Sequence, residues 1–167
     1  MSLLSRLMGD RRDRSTLVPL YTAVVAEARQ PVWYQQAQAP DTMDGRFDMV
    51  SLVLSLVLLR LEREGEAGAL PSALLTEVFI DDMDGTMREV GFGDLVVGKR
   101  VGGIMGMLGG RLGAYRDGDR REAVIRNVYR ETPPADAAVN ELVAMSKALE
   151  ARLDAVPLDH LLKGSLG

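Results

Sequence analysis

From Met49 to Leu59 the chain carries no charged residue, and apart from Ser51 and Ser55 every side chain there is apolar. A helix over that stretch has no polar face to offer water, so it must be surrounded on several sides by other elements. As a helix it spans only about 16 Å, against the roughly 30 Å of a bilayer core, so it is expected to be a buried central helix and not a membrane span. Directly before it stands Pro40-Asp41-Thr42-Met43-Asp44-Gly45-Arg46-Phe47-Asp48-Met49, a charged turn with no spacer. Asp44 is the expected N-cap of a helix running to about Arg63, since its carboxylate can accept the free N–H groups of the first turn. Asp41, Arg46 and Asp48 exceed what capping needs. They either pair with one another to fix the entry angle of the helix, or form a recognition surface.

The remaining apolar periodicity is helical throughout, with no alternating pattern of useful length, so the fold class is all-α: a single-domain bundle of about six to eight helices. Residues 1–14 read as an N-terminal extension and 15–165 as the helical domain. A first helix covers Leu17 to Ala28, capped by Ser15 or Thr16 and ended by Pro31. Val32, Trp33 and Tyr34 form a short element whose rings either seal the core or face a partner. Gly65 and Gly68 release the chain before a helix from about Ser72 to Val90. Gly91 and Gly93 stop that helix, and Asp94 caps the next, to about Tyr115. Further helices are expected at about Arg120 to Tyr129 and Ala135 to Ala155, with a last turn at Leu158 to Leu162.

The helix after Asp94 carries Gly102, Gly106, Gly110 and Ala114 at every fourth position. Each glycine costs a helix interior about 1 kcal/mol relative to alanine, which close approach of another backbone can offset. That backbone is either another helix of this chain or a helix of a client protein, because small residues at this spacing are what membrane helices use to pack.

Several chemistries are excluded or weakened by composition. The chain has no cysteine and one histidine, His160. Disulfides, thiolate metal sites and a histidine-based metal cluster are therefore ruled out, and no cofactor or metal is expected. With 20 Lys and Arg against 24 Asp and Glu, the net charge of −4 argues against specific nucleic-acid binding. Gly93 to Arg100 mimics a phosphate-binding loop, but Arg100 stands where Ser or Thr would hold magnesium, and no strand precedes it. Asp81, Asp82 and Asp84 resemble the acids of a calcium loop or of a helical isoprenoid synthase without the required spacing or a second acidic motif. They leave one enzymatic alternative, a metal-dependent enzyme acting on an isoprenoid or related lipid. The first fourteen residues place four Arg beside Leu3, Leu4, Leu7 and Met8, a pattern for contact with an anionic membrane surface or for a frayed end, and they lack the apolar length of a secretory signal.

A second motif runs Asp81-Asp82-Met83-Asp84-Gly85-Thr86-Met87-Arg88-Glu89-Val90-Gly91-Phe92-Gly93-Asp94-Leu95, closing on Gly98-Lys99-Arg100. Glu89 opposes the dipole of the helix it ends, and Lys99 or Arg100 could fold back against it as a clasp. Together with the Asp-Thr-x-Asp-Gly-Arg-Phe-Asp turn, over roughly Tyr21 to Tyr115, this resembles the ubiquinol-cytochrome c chaperone family. The resemblance implies a non-enzymatic assembly factor of respiratory complex III that holds newly made cytochrome b. It implies a small co-chaperone or the ribosome as further partners, and a cytoplasmic place, peripheral on the inner membrane of a bacterium or on the matrix side in a eukaryote. The partner-binding residues it points to are Asp41, Asp44, Arg46, Phe47, Asp48, Arg88, Glu89, Asp94, Lys99 and Arg100; the spacing of Gly102, Gly106, Gly110 and Ala114, where the chain departs from the family's pattern, separately makes that stripe the expected client groove.

Overall fold

The computed structural model describes the backbone of residues 14–89 and 94–167 and the side chains of residues 14–86 and 102–167. Among them run eight helices: α1 (Val18–Ala28), α2 (Pro31–Gln35), α3 (Met43–Glu62), α4 (Glu66–Glu89), α5 (Asp94–Asp117), α6 (Arg120–Asn127), α7 (Asp136–Ala155) and α8 (Leu158–Leu162). The expected all-α bundle is observed. Helix α3 is its axis, contacting α1, α4, α5 and α7, while α6 bridges α5 and α7 and α8 closes against α1.

The reason is the missing polar face. Every residue from Asp48 to Leu61 is buried, and Leu52, Leu54, Leu56 and Leu61 are wholly so. Each such leucine contributes about 1.5–3 kcal/mol through removal from water. The few polar groups in this helix are satisfied locally: Ser55 donates to the Ser51 carbonyl at 2.6 Å. Arg60 snorkels to the end of α7, where its Nε donates to the Leu153 carbonyl at 3.0 Å and its Nη2 to that of Val156 at 3.1 Å.

Several boundaries differ from the sequence expectation, each for a local reason. Helix α3 starts one residue earlier, and its cap is Thr42 instead of Asp44. Thr42 is extended (φ −120°, ψ 170°), and its Oγ1 accepts from the Gly45 N–H at 3.0 Å. Asp44 lies one residue inside the helix, where its charge favours the dipole without capping. Gly45 is required for space, since a Cβ there would lie 1.9 Å from the Pro40 carbonyl oxygen. The cap residue of helix α1 is Leu17 instead of Ser15 or Thr16, without a side-chain cap of its own and followed by a proline in the first turn. Pro31 opens α2 instead of merely ending α1, and Trp33, buried to 2% exposure, donates Nε1 to the Glu27 carbonyl at 2.8 Å. Helix α4 begins at Glu66, because only Gly65 (φ +61°) turns the chain. Gly68 lies inside α4, where α3 passes so close that a Cβ would meet the Leu61 carbonyl oxygen at 1.8 Å. No helix among the described residues is long and apolar enough to cross a membrane.

Candidate functional site

The charged turn divides into an inner and an outer half. Asp48 is wholly buried, and its two oxygens are shared by two arginines from distant elements. Arg111 Nη2 of α5 donates to Oδ1 at 2.7 Å, and Arg130, in the α6–α7 loop, donates Nε to Oδ2 at 2.7 Å and Nη2 to Oδ1 at 3.3 Å. Arg130 also reaches Asp44 at 3.3 Å. The hydrogen bond to Asp48 raises the Arg130 pKa above its usual value. Phe47, half-buried, lies under the Arg111 guanidinium, 5.7 Å from ring centroid to Cζ, and leans on Phe79 at 6.2 Å. Asp48 and Phe47 therefore bind α5 and the α6–α7 loop to the entry of α3, and a buried carboxylate cannot meet a partner.

The outer half is Asp41, Asp44 and Arg46, all exposed, with Arg46 Nε donating to Asp41 Oδ1 at 2.7 Å. Beside it the backbone is strained. Arg130 (φ 49°), Glu131 (φ 63°) and Gln38 (φ 52°) are left-handed without being glycine. Tyr129 crosses between the two loops, its hydroxyl donating to the Ala37 carbonyl at 2.6 Å, and burial pushes its pKa up to about 12.

Arg111 and Arg130 are functional neighbours of this turn that sequence reasoning did not find. The signal was present, since an aspartate at the mouth of an apolar helix calls for a cation. Twelve arginines or lysines stand between Arg46 and Arg130 inclusive, and spacing alone does not choose among them. Arg111 keeps its Nε and Nη1 buried without a protein acceptor, as does the hydroxyl of Tyr115 one turn on, whose pKa burial pushes up to about 12.

In the second motif, Arg88 and Glu89 close α4, while Asp94, Lys99 and Arg100 fall in the first turns of α5. Their side chains, and with them the expected Glu89 clasp and the Asp94 cap, lie outside the described residues. Of the acids before them, Asp82 accepts the Tyr21 hydroxyl at 2.6 Å, and Asp81 accepts from Arg14 at 3.0 Å. Burial, then this bond to Asp82, raises the Tyr21 pKa. Among the described residues no three His, Cys, Asp or Glu converge as a metal site would require.

The glycine stripe behaves differently from the intrachain packing that its cost suggested. Gly102, Gly106 and Gly110 are exposed, and a Cβ on any of them would meet nothing within 4 Å; only Ala114, half-buried, leans on the core. The same openness holds for Gly103, Gly109 and Gly113. Helix α5 binds the bundle through the opposite face, with Ile104, Leu108, Arg111 and Tyr115 buried. Among the described residues that face is flanked by Met105 and Met107, 45% and 38% exposed. At about 100° per residue they flank the glycines on either side. Next to Met105 opens a groove of about 550 Å³, floored by Leu58 and Leu112 and walled by Ala69, Ser72 and Ala73 of α4. A bare helix face beside an apolar groove is a surface on which another helix can lie close.

Residues 35–166 match the ubiquinol-cytochrome C chaperone family, a span that holds both the charged turn and the glycine helix. The chain belongs to this family. Its fold is similar to one solved structure, described as the crystal structure of the Cbp3 homolog from Brucella abortus. The two share 29% identity and a TM-score of 0.76 over 98% of this chain and 94% of that one. No curated protein sequence matches the chain. As a member of the ubiquinol-cytochrome C chaperone family, the chain has the likeness that its two motifs carried, and a client protein in complex III assembly follows from that membership.

Proposed function

We propose that this chain is a non-enzymatic assembly chaperone that holds newly made cytochrome b during assembly of ubiquinol-cytochrome c reductase, complex III. The observation that carries this reading is the open glycine face of α5, with Met105 and Met107 on its flanks. Six glycines between positions 102 and 113 disfavour the helix, and among the described residues nothing lies within 4 Å of where their Cβ atoms would be. A partner helix can bring its backbone close there, and a helix of cytochrome b has the required chemistry. Thioether side chains on the flanks adapt to a client that has not reached its final packing.

In this reading the exposed half of the charged turn, Asp41, Asp44 and Arg46, meets a second partner, a small co-chaperone or the ribosome, and Arg88, Glu89, Asp94, Lys99 and Arg100 extend that surface. Asp48 and Phe47 hold it in shape from inside. The protein works in the cytoplasm, peripheral on the inner membrane of a bacterium. Against the isoprenoid-enzyme alternative, Asp81 and Asp82 are engaged by Arg14 and Tyr21.

The test is affinity purification from native membranes with Gly106→Leu. Cytochrome b is expected to be lost from the eluate while the melting temperature does not fall. Undiminished cytochrome b on a folded variant would remove the glycine face from the functional account.

A further inference from the structure

Of the nine methionines, six have described side chains, and they fall into two groups. Met49 is wholly buried, and Met83 and Met145 pack against the core; Met43, Met105 and Met107 are exposed, at 76%, 45% and 38%. Met105 and Met107 have an unusual setting. Most of their neighbours along the outer surface of α5 are glycines, at which even a Cβ would meet nothing within 4 Å, so that surface is open beside them.

We propose that Met105 and Met107 are oxidation sites whose conversion to the sulfoxide closes the client face, a regulation that rests on the reading of that face as the client surface. The oxidant is a hydroperoxide. A sulfur lone pair attacks the terminal peroxide oxygen, the O–O bond breaks as the S–O bond forms, and the departing hydroxide or alkoxide takes the proton of the transferred OH group and leaves as water or an alcohol. Sulfur loses two electrons and the peroxide gains them. The product is a polar, chiral group in place of an apolar, adaptable one. With one sulfoxide on each flank, a client helix approaching the glycines would have to desolvate an S=O group without a donor to receive it. Methionine sulfoxide reductases restore both side chains, so the closure is reversible.

Met43 supplies the comparison, because it is more exposed but lies on another helix, at the start of α3. The intact protein is treated with hydrogen peroxide under native conditions, and each methionine is followed by peptide mass mapping. Met105 and Met107 are expected to oxidise roughly tenfold or more faster than Met49. Cytochrome b capture from membranes is then compared with and without peroxide for each protein. Capture by the parent chain should fall on the order of tenfold. In the double variant Met105→Leu with Met107→Leu the treated-to-untreated ratio should return to one, whatever its starting capture, and in Met43→Leu the ratio should stay low. Oxidation of Met105 and Met107 as slow as that of Met49 would overturn the site. Oxidised methionines with an unchanged capture ratio, in a protein whose Gly106→Leu variant loses the client, would overturn the regulation. If Gly106→Leu keeps the client, the client reading has failed instead, and the mapping alone decides whether these are oxidation sites.

Discussion

Replacing Asp48 by Asn tests whether the charged turn is built from the inside. The carboxylate is wholly buried and accepts from Arg111 at 2.7 Å and from Arg130 at 2.7 and 3.3 Å, while the Arg111 side chain is itself only 6% exposed. Asn keeps the shape but removes the charge and turns NH2 donors toward guanidinium donors. Arg111 is then left as an uncompensated buried cation, and breaking such a pair costs about 3–5 kcal/mol. For a chain of this length that lowers the melting temperature by roughly 6–20 °C. Arg130→Ala removes the partner that is half in water, so about 1–2 kcal/mol is expected. Urea unfolding followed by circular dichroism measures both. The double change Asp48→Leu with Arg111→Met should be less destabilising than Asp48→Asn, because neither charge is left alone. A loss below about 1 kcal/mol for Asp48→Asn would refute the reasoning, since the pair would then be contributing no more than an exposed one.

Thr42→Ala should cost about 1 kcal/mol as loss of the α3 cap, and Asp44→Ala only a few tenths, as loss of a dipole contact and an exposed ion pair; equal losses in urea titrations would return the cap to Asp44. Gly106→Ala should raise stability by roughly 0.5–1 kcal/mol, because alanine favours the helix and its Cβ meets nothing; a destabilised variant would mean that something packs on that face. Tyr115 and Tyr129 both titrate near 12 in the folded chain, against about 10 unfolded. The folded state therefore binds more protons between those values, and stability is full below about pH 10 and falls as pH rises toward 12, by about 1.4 kcal/mol per pH unit for each tyrosine. Urea midpoints across that range should drop less steeply in Tyr129→Phe, and a slope unchanged from the parent would contradict the burial of its hydroxyl.

The helices were legible because their apolar periodicity is local, and the central place of α3 followed from its missing polar face alone. Boundaries were less legible where two residues could do the same work. Thr42 and Asp44 are both good caps, and which one caps depends on where the chain turns after Pro40. Gly68 looked like a break because its need for space arises from α3, which the sequence places nearby but not in contact. The site was half legible. The excess of charge at Asp41, Arg46 and Asp48 marked the turn, but burial separates Asp48 from the other two, and burial is a tertiary property. Arg111 and Arg130, 63 and 82 residues from Asp48, are paired with it only by the packing of α5 and the α6–α7 loop. The glycine stripe was visible as a pattern, yet whether it faces inward depends on Ile104, Leu108, Arg111 and Tyr115 taking the core side of the same helix.

A photo-reactive amino acid placed at position 106 or 110, in cells making cytochrome b, reports directly whether the client lies on the glycine face. Cytochrome b adducts at both positions, and none from the same probe at the exposed position 147 of α7, are the expected result. Adducts at 147 with none at 106 and 110 would contradict it, and would place the client on the α7 surface.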